Sequence, residues 1–251
     1  NQFGMEEETL RQIIRERNQW PHSEIVGIQL YSGTQKHSLK RLQRELDRLD
    51  DLVRSLQEEE GFLVQELEYG PGFPVFYFEE DEPWEEEEFF RSFAQMLENM
   101  AFSGTITLEM GRSMVAECGY YLTSVADIKS SRGQNYCILD GGMHQISYYG
   151  QSMAMKHPPV CCLQERSGEP VPWNLCGSLC TVNDILVKQL PLPTPELGDV
   201  FVFEKAGAYC VTEGIALFLS RDLPAVASWS QSQGLELLRP HVAAETFNQK
   251  Q

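Results

Sequence analysis

A strand–helix alternation that fills the first half of this 251-residue sequence and then stops is the feature that most constrains its fold. Residues 24–31 (EIVGIQLY), 62–69 and 105–109 are short apolar runs rich in β-branched or aromatic residues, as buried strands are. Between them, residues 38–60 place Leu39, Leu42, Leu46, Leu49, Val53 and Leu56 at helical spacing. Residues 84–100 do the same with Phe89, Phe90, Phe93, Met96, Leu97 and Met100, and residues 6–18 with Leu10, Ile13 and Ile14. Strand–helix–strand–helix–strand order predicts parallel strands joined by helical crossovers. Three strand–helix repeats cannot close a parallel barrel, which takes eight. The first half is therefore read as one part of such a barrel, with its remainder on another segment.

After about residue 115 the texture changes. Apolar runs at 115–125, 136–139, 159–163 and 200–203 are separated by Gly, Pro and Asn turns, and helical periodicity fades. The division expected is a partial β/α barrel over 1–115 and a mostly-β domain over 116–251, built as a sandwich or small barrel.

Charge and cysteine usage narrow the function. A net charge of −17 disfavours a phosphate backbone as partner, so no nucleic acid is expected. The acid is concentrated at Glu58–Glu60 and at 79–88, where Pro83 and Trp84 interrupt it; such runs read as solvated helix ends or loops. No apolar stretch approaches the roughly 18–20 residues of a membrane span. The N-terminus lacks the basic and apolar segments of a signal peptide, and its first residue is not Met, which points to a processed or truncated product. Seven cysteines form no even disulfide framework and no Cys-x-x-Cys, and the five histidines make no helical pair with metal spacing. A cytoplasmic protein without a metal site is the expectation.

In a β/α barrel the chemistry sits at the C-terminal ends of the strands. Those ends read Tyr31-Ser32-Gly33-Thr34-Gln35, Gly70-Pro71-Gly72-Phe73 and Glu109-Met110-Gly111-Arg112. Tyr31 can stack on a ring, Thr34 offers a hydroxyl, and Gly70 and Gly72 let backbone amides approach an anion. Arg112 can pair with phosphate, and Glu109 can share a proton with a ring nitrogen. Each signal has a plainer reading, as a turn, a rim tyrosine or a surface ion pair. Their succession at three strand ends is what points to a phosphorylated aromatic cofactor.

These motifs resemble those of the PLP-dependent amino-acid decarboxylases of alanine-racemase-barrel type, the diaminopimelate, ornithine and arginine decarboxylase family. Residues 27–35 resemble the family's G-L-H-F-H-x-G-S-Q strand, 70–74 its G-G-G-F phosphate loop, and 109–112 its E-P-G-R motif. Further on, Asp140-Gly141-Gly142-Met143 is similar to D-[AG]-G-[MV], and residues 177–184 to G-P-x-C-x-x-x-D. Gly198-Asp199 with Ala206-Gly207-Ala208-Tyr209 is similar to the G-D…A-G-A-Y ending.

The resemblance implies the C-terminal part of a (β/α)8 barrel followed by a β domain, in a homodimer with shared active sites. It implies pyridoxal 5'-phosphate as cofactor, held by Tyr31, Thr34, Gly70, Gly72, Phe73, Glu109, Gly111, Arg112 and Tyr209. Cys180, from the partner subunit, would be the proton donor after carbon dioxide leaves; a thiol pKa of ~8.5 suits that role. Apart from the resemblance, Cys180 is one cysteine among seven. Thr181 and Asp184 belong to the same substrate loop, where Asp184 either positions the loop or only caps its turn.

Six departures bear on function. Tyr31 stands where most members have histidine, Pro71 replaces the middle glycine of the phosphate loop, and Met110 and Ser178 replace prolines. Thr181 occupies the position of an acidic substrate-binding residue, which points away from ornithine or lysine and toward a less basic, an acidic or a carrier-bound amino acid. The Schiff-base lysine of the family has no counterpart among lysines 36, 40, 129, 156, 188, 205 and 250. Three readings follow: a decarboxylase completed by a companion N-terminal barrel segment, a non-catalytic homologue acting as a binding or regulatory partner, and, less well matched by the motifs, a racemase.

Overall fold

The computed structural model describes residues 2–82, 84–247 and 249; Pro83 and Lys250 lie outside the described residues. The chain divides into two compact units, Asn1–Val75 with Glu82–Met114, and Phe76–Asp81 with Val115–Gln251. The short stretch 76–81 thus leaves the first unit and returns, which no compositional signal marks.

In the first unit α1 (Glu7–Arg15), β1 (Gly27–Tyr31), α2 (Leu39–Glu60), β2 (Glu66–Gly70), α3 (Glu86–Glu98) and β3 (Thr105–Leu108) alternate in chain order. The three strands form one parallel sheet in the order β1-β2-β3. Helix α2 starts where Ser38 Oγ accepts the Arg41 N–H at 3.3 Å, and stops at Gly61, whose φ of 57° is left-handed. Its leucines 42, 46, 49 and 56 form a core with Leu67, Tyr69, Phe73, Phe89 and Phe93. Burial alternates along the strands: Ile28, Leu67 and Tyr69 are buried toward that core, while Gln29, Glu66, Glu68, Thr105 and Thr107 are exposed on the other face. Parallel sheets are ordinarily covered on both faces. Here one face is polar and open, and β1 and β3 are both edge strands.

In the second unit β4 (Tyr121–Ser131), β5 (Gln134–Leu139), β6 (Val160–Cys162), β7 (Val171–Cys176), β8 (Ile185–Leu192) and β9 (Val200–Phe203) make one mixed sheet ordered β6-β9-β4-β5-β7-β8. Strands β5 and β7 are parallel and the other pairs antiparallel. Strand β4 changes partner along its length, pairing with β9 over residues 121–124 and with β5 from Val125, with an irregularity at 125–127. The hairpin β10 (Val226–Ser230) and β11 (Gly234–Arg239) stands apart from this sheet. The unit is therefore a six-stranded mixed sheet whose two ladders, β6-β9-β4 and β4-β5-β7-β8, share β4, with a separate hairpin.

Boundaries also shift. The run 115–125 is not one strand: a four-residue helix α4 (Arg112–Val115) and a 3-10 turn at Ala116–Cys118 occupy its start, and β4 begins at Tyr121. The expected helix 6–18 closes at Arg15 and continues as a 3-10 turn, Arg17–Gln19. Strands β7 and β8 carry Pro172 and Pro191, residues that argue against a strand interior. They are tolerated because β8 is an edge strand and Pro172 precedes the pairing of β7 with β5, which starts at Trp173. Among the described residues no helix is long and apolar enough to cross a membrane, and no group of three or more His, Cys, Asp or Glu is arranged to hold a metal.

Candidate active site

The parallel register brings three strand ends side by side. Tyr31 pairs with Gly70, Tyr69 with Leu108, and the Glu109 N–H donates to the Tyr69 carbonyl at 3.0 Å. A Cβ on Gly70 would stand 2.9 Å from the Tyr31 ring and 3.6 Å from Glu109 Oε2, so the aromatic ring, the bare glycine and the carboxylate converge. Glu109 Oε2 accepts a 2.8 Å hydrogen bond from Gln29 Nε2. Interaction with this carboxyl pushes that of Glu68, which pairs with Thr107 two positions earlier, above the usual carboxylate range. Nothing in the sequence singles out Gln29 and Glu68, because each looks like an ordinary exposed strand residue. Their period-two relation to Tyr31 and Gly70 is the signal that could have found them.

The loops after β1 and β2 form one cradle. Gly72 has φ of 63°, and a Cβ there would lie 2.1 Å from the Gly33 carbonyl oxygen and 3.0 Å from Thr34 Cα. The Lys36 N–H donates to the Gly72 carbonyl at 2.9 Å. Gln35 brackets Val75, donating from Nε2 to its carbonyl at 2.8 Å and accepting its N–H at 2.7 Å. The Phe73 ring is buried against Phe89, Phe90 and Phe93 at centroid distances of 5.8, 5.1 and 4.9 Å. It anchors the loop to α3, so only the backbone at 73 remains available to an anion.

Beneath the cradle lies a polar cluster that the strand-end motifs do not contain. Lys36, 1% exposed, donates from Nζ to Glu45 Oε2 at 2.6 Å and to Ser32 Oγ at 2.8 Å. Ser32 Oγ donates to Glu45 Oε1 and the Tyr69 hydroxyl to Glu45 Oε2, each at 2.8 Å. Burial holds the Lys36 ammonium below the usual lysine range against the pull of Glu45. Burial alone would raise Glu45, but hydrogen bonds from Lys36, Ser32 and Tyr69 outweigh it and hold the carboxyl low. Gly111 leads into α4, its carbonyl accepting the Met114 N–H at 3.2 Å, and Arg112 is buried in the first turn.

In the second unit the segment from Gly177 to Asp184 is a loop organised from its last residue. Asp184 is 2% exposed, and its carboxylate accepts the N–H of Leu179 and of Met143, each at 2.8 Å. Gly177 N–H donates to the Asp184 carbonyl at 2.9 Å, and a Cβ on Gly177 would lie 2.2 Å from the Asp184 carboxylate. Asp184 thus ties the Cys180 loop to the Gly142-Met143 segment as well as closing its turn. Cys180 itself is exposed, and Thr181 beside it is half-buried with Oγ1 accepting the Asn183 N–H at 3.4 Å. Asp199 is held by Arg166 through bonds of 3.1 and 2.5 Å. Gly207 lets its strand-end segment lie against 115–119, since a Cβ would sit 1.9 Å from the Val115 carbonyl oxygen. Tyr209 follows with φ of 64° and an exposed side chain.

A family model described as the pyridoxal-dependent decarboxylase C-terminal sheet domain matches residues 28–207. The L-glutamyl-BtrI acyl-carrier-protein decarboxylase of Niallia circulans is 28% identical over 248 residues, covering 95% of this chain and 58% of that protein. Diaminopimelate decarboxylase of Neisseria meningitidis is 28% identical over 213 residues, covering 83% and 50%. Among solved structures, diaminopimelate decarboxylase from M. jannaschii with L-lysine superposes with a TM-score of 0.85 at 22% identity, covering 98% of this chain and 56% of the other. The chain thus spans about half the length of the curated relatives it matches.

Proposed function

Because the chain belongs to the pyridoxal-dependent decarboxylase family, we propose that it supplies the C-terminal share of an active site that removes the carboxylate of an amino acid. The observation that carries this reading is the convergence of Tyr31, Gly70, the Gly72–Thr34 cradle and Glu109 at adjoining strand ends. The donor set fits a phosphorylated pyridine: a cradle closed to any Cβ at Gly72, a nearby guanidinium in sequence at Arg112, and a carboxyl pair at Glu68 and Glu109. The backbone at Gly70, Gly72 and Gly111, the Thr34 hydroxyl, Arg112 and Tyr209 would hold the phosphate, while Tyr31 would lie against the ring. Pyridoxal phosphate, when bound, supplies an electron-withdrawing ring that stabilises charge released by breaking a carbon–carboxylate bond.

The chain's own groups perform the proton handling. Glu109, oriented by Gln29, would hold a proton at the ring nitrogen, with the Glu68 carboxyl beside it. Cys180 would deliver a proton to the reacting carbon, and in this reading comes from the second copy in a homodimer. Asp184 positions that thiol through Leu179 and Met143. The polar, open face of the β1-β2-β3 sheet and its two free edges are what a barrel interior needs before its remaining strands are added, so a companion barrel segment completes the fold. Lys36, the lysine nearest the strand ends, is committed to Glu45, so that segment also carries the covalent lysine. The same commitment is the one observation favouring a non-catalytic homologue.

For substrate, Thr181 offers no carboxylate to a distal ammonium, and one relative is named for a glutamyl group on an acyl-carrier protein. We read the substrate as an acidic or carrier-bound amino acid. Carbon dioxide release by the complete protein with pyridoxal phosphate should be faster from carrier-linked glutamate than from diaminopimelate, ornithine or lysine. It should fall at least 100-fold in Cys180→Ala. A preference for ornithine or lysine overturns the substrate reading, and no release from any of the four overturns the decarboxylase.

A further inference from the structure

A pocket of about 240 Å³ opens entirely within the second unit, walled by Met143, seven side chains between Ile146 and Pro158, Asn183, the start of β8 and Phe203. It adjoins the Cys180 loop through the chain itself: Met143 and Asn183 line it, Met143 is bonded to Asp184, and Asn183 precedes Asp184. At ~30 Å³ per water, the volume corresponds to roughly eight waters, room for a short linear chain.

The wall carries no acidic or basic side chain. An ionic head group entering it would lose water and meet no counter-charge, which is costly. Apolar contact comes from Met143, Ile146 and Phe203, and methionine adapts to an irregular chain. Three polar side chains remain unspent: among the described residues those of Ser147, Ser152 and Asn183 make no hydrogen bond within the protein. The other polar side chains of the wall are engaged, Tyr148 with the Glu204 carbonyl and Gln151 with the backbone of Ser152 and Lys156. Hydroxyls and an amide both donate and accept, so they match amide groups spaced along an apolar chain.

Resting on the carrier-bound reading above, we propose that this pocket receives the neutral, amide-bearing pantetheine arm by which a carrier protein presents its aminoacyl group near Cys180. A neutral arm of this kind suits a pocket that borders the Cys180 loop at Met143 and Asn183 and is lined without charge.

The test is calorimetric titration of the complete protein with free D-pantetheine, which needs no turnover. Saturable binding is expected, weakened at least tenfold in both Ser147→Trp, which fills the pocket, and Ser152→Trp, at its exposed wall where folding is not at stake. 1-Octanol, a chain without amides, should bind at least tenfold more weakly than pantetheine. Absence of saturable pantetheine binding, unchanged affinity in both variants, or equal affinity for 1-octanol each overturns the pocket assignment. Because carbon dioxide release is measured separately, turnover without pantetheine binding sinks this inference alone, and binding without turnover sinks the decarboxylase reading while the pocket stands.

Discussion

Asp184 and Glu45 each organise a site from beneath, and each can be tested singly. Removing the Asp184 carboxylate leaves the buried N–H of Leu179 and the part-buried N–H of Met143 unpaired, at about 1–3 kcal/mol per group. Asp184→Ala should therefore lower unfolding stability by about 2 kcal/mol or more and change the rate at which Cys180 reacts with a soluble disulfide. Unchanged thiol kinetics would show that the loop does not depend on it. Glu45→Leu strands the Lys36 ammonium in a buried site, for which about 3–5 kcal/mol is the usual loss. Adding Lys36→Met should recover most of it in urea unfolding. Because Glu45 is held below its unfolded value, its stabilisation is present above about pH 4.5 and is lost as pH falls through the lowered value. Acid sensitivity should flatten in Glu45→Leu/Lys36→Met. The glycines, Tyr31, Glu109 and Arg112 were legible in the sequence as motif residues. The Lys36–Glu45–Ser32–Tyr69 cluster was not, since Lys36 and Glu45 lie nine positions apart and only the loop's return toward α2 joins them.

At the scale of elements, the strand–helix half was readable because α2 and α3 carry long apolar stripes with clear ends. Ser38→Ala, which removes the α2 cap, should cost about 1 kcal/mol by thermal unfolding. A change within error would mean that the Arg41 N–H finds another acceptor. The β-rich half was read less well for physical reasons. Strands β7 and β8 contain prolines that only edge positions and unpaired ends allow. Strand β10 alternates Ala227 and Trp229 opposite Leu237 and Leu235, a pattern that fits a strand but is diluted by its polar neighbours. The start of β4 was misplaced because Val115 and Ala116 look like strand residues, whereas α4 and the following turn claim them.

At the scale of the whole molecule, the excursion 76–81 ties itself into the second unit by contacts remote in sequence. His157 Nδ1 meets Glu80 at 2.5 Å, its Nε2 contacts the Lys188 carbonyl at 2.9 Å, and Lys156 pairs with Asp81 at 3.1 Å. The Lys188 carbonyl, and then Glu80 against the effect of burial, hold the His157 imidazole above its usual range. A histidine raised on folding stabilises fully below about pH 6.5, its unfolded value, and loses that contribution as pH rises through the folded value. The unfolding midpoint should therefore fall between pH 6 and 8 in the native protein and stay level in His157→Ala; parallel curves would remove His157 as the cause. No sequence pattern announces this link, because it depends on where a six-residue segment is placed in space.

The cradle formed by Gly72, Gly33 and Thr34 is the central element of the proposed cofactor site, as the seat of its phosphate. The direct measurement is the affinity of the complete protein for pyridoxal 5'-phosphate against pyridoxal, by absorbance titration, in the native protein and in Gly72→Ala. The native protein should prefer the phosphorylated form at least tenfold, and Gly72→Ala, whose Cβ would meet the Gly33 carbonyl at 2.1 Å, should lose most of that preference. Equal affinity for the two compounds in the native protein, or a preference untouched by the alanine, would contradict it.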